Sequence, residues 1–110
     1  MSKATYWQRG ETLDYRNTTD TKIEANSILS FGSHIGIAGT DIFPGELGSI
    51  HVAGVFEMPK TSTEVIEMGT EVYFDGSGIT NTKNDNAPIA GYAVQAAAAS
   101  DTVILVKLLG

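Results

Sequence analysis

A chain of 110 residues and 11.7 kDa with 42% hydrophobic side chains is sized for one globular domain, which buries roughly 65% of the surface its unfolded form exposes. It has no cysteine, which excludes disulfides, thiolate metal sites and cysteine nucleophiles. Seven basic against thirteen acidic side chains leave a net charge of −6, the wrong sign for neutralising nucleic-acid phosphates.

Met1 to Gly10 holds no apolar run of signal-peptide length, and no stretch approaches a membrane span, so a protein made and kept in the cytosol, with no membrane partner, is expected. Seventeen Val and Ile and twelve Thr against six Leu favour strands over helices, and twelve glycines punctuate them with turns. The expectation is an all-β fold.

Residues 1–19 differ from the rest. They carry Tyr6, Trp7 and Tyr15, both arginines (Arg9 and Arg16) and a single Leu, Ile or Val, Leu13. Three basic and two acidic side chains make this segment +1, while residues 20–110, with four basic and eleven acidic, stand at −7. Trp, Tyr and Arg are the types that most often anchor interfaces. Residues 1–19 therefore read as an N-terminal arm on a body of residues 20–110, with Tyr6, Trp7, Arg9, Tyr15 and Arg16 as candidate interface residues. An edge strand with Trp7 closing the bottom of a barrel is the equal alternative.

Short strands are predicted at Thr21 to Ala25, Ser27 to Phe31 and His34 to Ala38, the last two joined through Gly32-Ser33. Phe43-Pro44-Gly45 is a turn with Pro second and Gly third. From Gly48 to Phe56 apolar residues alternate with others as in one half-buried strand. Thr61 with Glu64 makes a capping-box pattern and Gly69 a stop, predicting a helix of two turns at most with Val65 and Met68 on one face. Thr70 to Asp75 alternates as a strand, Asp75-Gly76-Ser77-Gly78 supplies a hairpin turn, and Ile79-Thr80 returns. Asn81 to Asn86 reads as an exposed loop tip, Ile89 to Gln95 as a strand, and Ala96 to Ala99 as a loop or single turn too short to nucleate a helix. Thr102 to Leu109 is nearly all apolar, as suits a strand covered on both faces. No internal repeat is visible.

Catalytic chemistry finds no foothold. His34 and His51 sit in apolar strand patterns with no nucleophile beside either. Asp75-Gly76-Ser77-Gly78 lacks the spacing and closing glutamate of a calcium loop. Asn84-Asp85-Asn86 reads as solvated loop before it reads as a weak cation site, and Glu64, Glu67 and Glu71 as a solvated face before paired acids. Asn17-Thr18-Thr19 fits a glycosylation pattern that, without a secretory route, carries no weight. No phosphate loop occurs, so no enzyme, no cofactor and no metal is expected.

The run Ile42-Phe43-Pro44-Gly45-Glu46-Leu47-Gly48-Ser49-Ile50-His51-Val52-Ala53-Gly54-Val55-Phe56-Glu57-Met58-Pro59-Lys60, then Met68-Gly69-Thr70-Glu71-Val72-Tyr73-Phe74-Asp75, resembles a family of phage capsid cement, or head decoration, proteins. Further likeness lies in Ala4-Thr5-Tyr6-Trp7-Gln8-Arg9-Gly10, in Ile89-Ala90-Gly91-Tyr92-Ala93 and in Val103-Ile104-Leu105-Val106-Lys107-Leu108. Some members have carried a recombinase label, which this chain, lacking a phosphate loop and a basic surface, does not support. The resemblance implies a non-enzymatic protein on the outside of the assembled virion head, bound to the major capsid protein and present in the host cytoplasm during assembly. It implies a homo-oligomer, with a trimer expected first and a dimer second. The expected fold is a small single-domain β-barrel or tulip-like roll with one short helix. A head–tail joining or tail component, and a small-molecule-binding accessory domain, are the competing expectations.

Overall fold

β-Branched and aromatic residues placed between turn residues produce nine short strands among the residues described by the computed structural model, 2–83 and 87–109. They are β1 (Thr12–Arg16), β2 (Ile28–Phe31), β3 (His34–Ala38), β4 (Leu47–His51), β5 (Val55–Pro59), β6 (Glu71–Phe74), β7 (Ile79–Thr80), β8 (Ile89–Ala93) and β9 (Val103–Leu108). One antiparallel sheet runs β1-β4-β3-β2 and a second runs β5-β9-β8-β6-β7. The second sheet curls until its ends meet: Lys60, just past β5, bridges Ile79 of β7, and the Thr61 amide donates to the Ile79 carbonyl at 2.9 Å. Met58, Val72, Phe74, Ile79, Ile104, Val106 and Leu108 fill its interior, joined by Ile35 and Ile37 from β3 of the first sheet. The all-β barrel-like fold is thus present.

The two sheets are two copies of one design. β2-β3-β4 and β6-β8-β9 are the same three-stranded meander, and β1 and β5 are the same outer strand, each paired with the last strand of its meander. Equivalent residues lie 43 positions apart from Thr12/Val55 to Phe31/Phe74 and 55 apart from His34/Ile89 to Glu46/Asp101. The difference is the longer β6–β8 connection, which carries β7.

Hydrogen bonds repeat with the same offsets. Ile23 and Ile42 exchange two backbone bonds (2.9 and 2.8 Å), as do Ile66 and Ala97 (2.9 and 2.8 Å). Each of these four residues leads into a β-turn: Ser27 to Glu24, Glu46 to Phe43, Thr70 to Glu67 and Asp101 to Ala98, at 3.0–3.2 Å. Asn26 and Gly69, equivalent third residues of two such turns, both have positive φ (70° and 88°) and donate to the equivalent carbonyls of Ala38 and Ala93. A repeat invisible in side chains is explicit in the backbone.

The expected helix is absent. Ile66, at its centre, is committed to the bridge with Ala97, the Ser62 hydroxyl accepts the Glu64 amide, and Gly69 at φ 88° serves a β-turn. The start and stop residues of a helix are also those of ST-turns and β-turns. Val65 and Met68 are exposed. Gly48 to Phe56 is not one strand either: β4 ends at His51, and the chain crosses to the other sheet through Val52, Ala53 and Gly54, whose φ of 116° suits glycine. Thr21 to Ala25 contributes only the Ile23 bridge. β9 is fully buried on one face alone, since Ile104, Val106 and Leu108 point inward while Val103 and Lys107 are exposed and Leu105 half-buried on the outer face. Of the Asn81 to Asn86 loop tip, residues 84–86, and with them the Asn84-Asp85-Asn86 cluster, lie outside the described residues.

β8 and β9 approach so closely at Gly91 (φ 150°) that a Cβ there would sit 1.9 Å from the Lys107 carbonyl oxygen. Gly91→Ala is expected to cost about 3 kcal/mol or more in urea unfolding, because backbone must move. Gly76→Ala, at φ 97° with open space around it, is expected to cost only the ~1–2 kcal/mol of a left-handed residue.

Candidate functional site

Nothing in residues 2–9 can build a core, and the structure leaves them exposed and outside any strand. Tyr6 is 79% and Trp7 88% exposed, so Trp7 does not close a barrel. Arg9 pairs with Glu11 at 2.9 Å, both in solvent. Gly10, at φ 78°, turns the chain into β1, whose five residues pair antiparallel with β4. Tyr15 and Leu13 share the half-buried side of β1, and the Arg16 guanidinium donates to the Gly45 carbonyl at 2.7 Å. The five candidate interface residues therefore fall into two groups. Tyr6, Trp7 and Arg9 stand on the free segment, while Tyr15 and Arg16 belong to an edge strand of the chain's own sheet.

Asn17, directly after β1, is fully buried, and its amide donates to the carbonyls of Thr21 and Ile42, both at 2.8 Å. Its Oδ1 accepts the Thr19 amide at 2.9 Å and the Thr19 hydroxyl, forming an Asx turn. A glycan has no access to it. The signal for this role was an Asn followed by two threonines at a strand end, a turn signature as much as a glycosylation pattern. Its counterpart 43 residues on is Lys60, also buried, whose ammonium donates to the carbonyls of Ser62 (2.8 Å) and Ala99 (3.4 Å). At the same place in each half, one buried polar side chain ties the outer strand to the turns.

The groups screened for chemistry lie apart. His34 stacks on Phe31 and His51 tilts against Phe56, each with ring centroids 6.0 Å apart. Glu64 accepts from Asn81, and Glu71 accepts the Tyr73 hydroxyl at 2.9 Å, a bond that with burial and the nearby charge raises the Tyr73 pKa. Among the described residues no three His, Asp or Glu side chains gather as metal ligands. Asp75 closes the β6–β7 turn, accepting the amides of Ser77 (2.9 Å) and Gly78 (2.8 Å) and the Thr61 hydroxyl (2.6 Å). The concavities are open surface grooves. One, of about 390 Å³, lies between Arg9, Leu13, Phe31, His34 and Val52, and another, of about 380 Å³, between Glu57, Gln95 and Asp101 beside β9.

Asn17→Ala removes the amide's two bonds, to the Thr21 and Ile42 carbonyls, and the Asx-turn acceptor from a fully buried site, leaving Ile42 with its Ile23 amide alone, and is expected to cost about 2 kcal/mol in denaturant unfolding. Asn17→Asp, which keeps the turn acceptor but sets a carboxylate against those carbonyls, should be at least as damaging. Burial pushes the Asp75 pKa up, but the bonds from Thr61, Ser77 and Gly78 outweigh it and hold the pKa below the ordinary value. The unfolded chain therefore binds this proton more readily, and the stabilisation is present above the unfolded pKa and lost as pH falls through the folded one. Thermal melts of the wild type against Asp75→Asn between pH 6 and 2 should converge toward the acid end.

No curated protein and no solved structure matches the chain. A family model does, over residues 7–108, from Trp7 on the free segment through both halves to the end of β9. With that span covering nearly all of the molecule just described, the chain belongs to the phage cement protein family.

Proposed function

We propose that the protein binds the exterior of the assembled phage capsid, there contacting the major capsid protein, and stabilises the shell without catalysing a reaction. Family membership gives the chain a structural, capsid-associated role. The observation that carries the finer reading is the free segment, where Tyr6 and Trp7 stand in solvent on backbone that no strand among the described residues pairs. Large aromatic side chains exposed on unpaired backbone are costly to leave in water and are the usual anchors of an interface. Arg9, and more locally Arg16, add donors for carboxylates. A trimer is the assembled state proposed, with a dimer second; many copies on one shell sum small contributions into a large reinforcement.

Attachment and folding separate cleanly at Gly10. Deleting residues 2–9, or Trp7→Ala, should leave the melting temperature within a degree or two, because those side chains make few contacts. Both should weaken co-sedimentation with shells that lack the protein, Trp7→Ala by about 2 kcal/mol, roughly 30-fold. Deleting through residue 17 should instead unfold the first half, since it removes β1 and Asn17. Electron microscopy of particles should place the bound protein on the outer head surface; density confined to the tail or the head–tail joint would overturn the reading.

A further inference from the structure

The two halves differ at one edge. In the second, β6 is flanked by β8 on one side and β7 on the other, with Ile79 opposite Phe74 and Thr80 opposite Tyr73. In the first, β2 occupies the place of β6, is flanked by β3, and ends its sheet. Phe31 is the counterpart of Phe74 and Ser30 of Tyr73, and among the described residues no strand lies opposite them on the outer side. The short Gly32-Ser33 connection between β2 and β3 leaves no chain to fold back there, whereas the longer β6–β8 connection supplies β7.

The consequence for packing is visible in the side chains. Phe74 is buried, and Ile79 beside it is fully so. Phe31 is only half-buried and lines the groove of about 390 Å³ with Leu13, His34 and Val52, and with Arg9 and Gly10, where the chain's own N-terminal segment leaves β1. The edge strand Ile28-Leu29-Ser30-Phe31 carries no charge and no proline, the devices by which free edges ordinarily resist pairing.

We propose that the outer edge of β2, with the groove beside Phe31, receives the N-terminal segment of a second copy of this chain, Ala4 to Trp7, paired antiparallel as β7 pairs with β6. Four observations select that occupant. The segment is exposed and outside any helix or strand, and among the described residues no strand pairs with it, so its backbone can add to an edge. It carries two aromatic side chains for an apolar groove. Lys3 precedes it and Arg9 follows it, and the body of residues 20–110 that it would meet has a net charge of −7. The fold itself demonstrates, on β6, that a two-residue strand seats stably at this position. Each copy offers one segment and one β2 edge, so a head-to-tail ring closes with every β2 edge filled. The inference rests on the proposed oligomer and sharpens it by naming the contact.

The absence of native cysteines makes the test direct. Ser30→Cys in one chain is mixed with a second chain carrying Ala4→Cys, Thr5→Cys or Tyr6→Cys, one at a time, and oxidised under non-denaturing conditions. A cross-linked product containing one chain of each kind, strongest at one position of the scan and at least tenfold above a Ser33→Cys plus Lys83→Cys control, is expected. Light scattering should give a multiple of the monomer mass for the full chain and the monomer mass after deletion of residues 2–9. Absence of a cross-link at all three positions overturns the proposal, as does a double variant that cross-links only within one chain. If cross-linking fails while the full chain still co-sediments with shells through Trp7, the segment lands on the capsid, and only this contact is wrong. If cross-linking succeeds and co-sedimentation fails, the contact stands and the exterior-binding reading falls.

Discussion

A buried polar side chain needs partners, and in this protein one per half finds them in turn carbonyls where the chain leaves its outer strand. After β1 the backbone bends and returns through Ile23 to the bridge, which brings the Thr21 and Ile42 carbonyls within reach of one side chain. Asn17 satisfies both with one amide while its Oδ1 shapes the bend itself. Lys60 does the same work for Ser62 and Ala99 with an ammonium. Each such bond contributes on the order of 1 kcal/mol, and losing the buried side chain that makes two of them loosens the join between outer strand and turns. No buried side-chain polar atom among the described residues lacks a partner.

Given the same backbone plan, the halves are filled differently. The second has Phe56 where the first has Leu13 and gains β7, so it curls around an interior of its own. The first sends Ile35 and Ile37 into that interior and keeps its other face for a shallow groove and two free edges. Stability is concentrated in one copy. The other is left with the surfaces a partner can use, which is the division expected of a protein whose task is attachment rather than turnover.

Much of this was legible in the residues. β-Branched richness, the Gly32-Ser33 hairpin, the Phe43-Pro44-Gly45 turn and the Asp75-Gly76-Ser77-Gly78 turn all appear where expected, because local turn chemistry decides them. The missed helix and the split of Gly48 to Phe56 have a common cause: Ile66 and the Val52-Ala53-Gly54 crossing are governed by partners distant in sequence, Ala97 and a second sheet. The repeat was hidden because only six residue pairs among the equivalent positions are identical, such as Ile23/Ile66, Phe31/Phe74 and Gly36/Gly91, while Asn17 and Lys60 perform one role with unlike side chains. For the site, composition marked the aromatic segment, but it could not divide Tyr6, Trp7 and Arg9 from Tyr15 and Arg16, since β1 is defined by its pairing to β4.

Among the described residues, every strand pairing in the two sheets joins residues of the same half, from Thr12 with His51 in one to Val55 with Lys107 in the other. Loop-closure entropy for the ladders is therefore set by about fifty residues rather than by the whole chain. During synthesis the first sheet has all its partners once His51 has left the ribosome, before β5 exists. What it lacks at that moment is the shared interior, because Ile35 and Ile37 wait for the second half to cover them. The hydrogen-bond pattern thus permits two folding units in succession, while the common core makes the finished molecule cooperative.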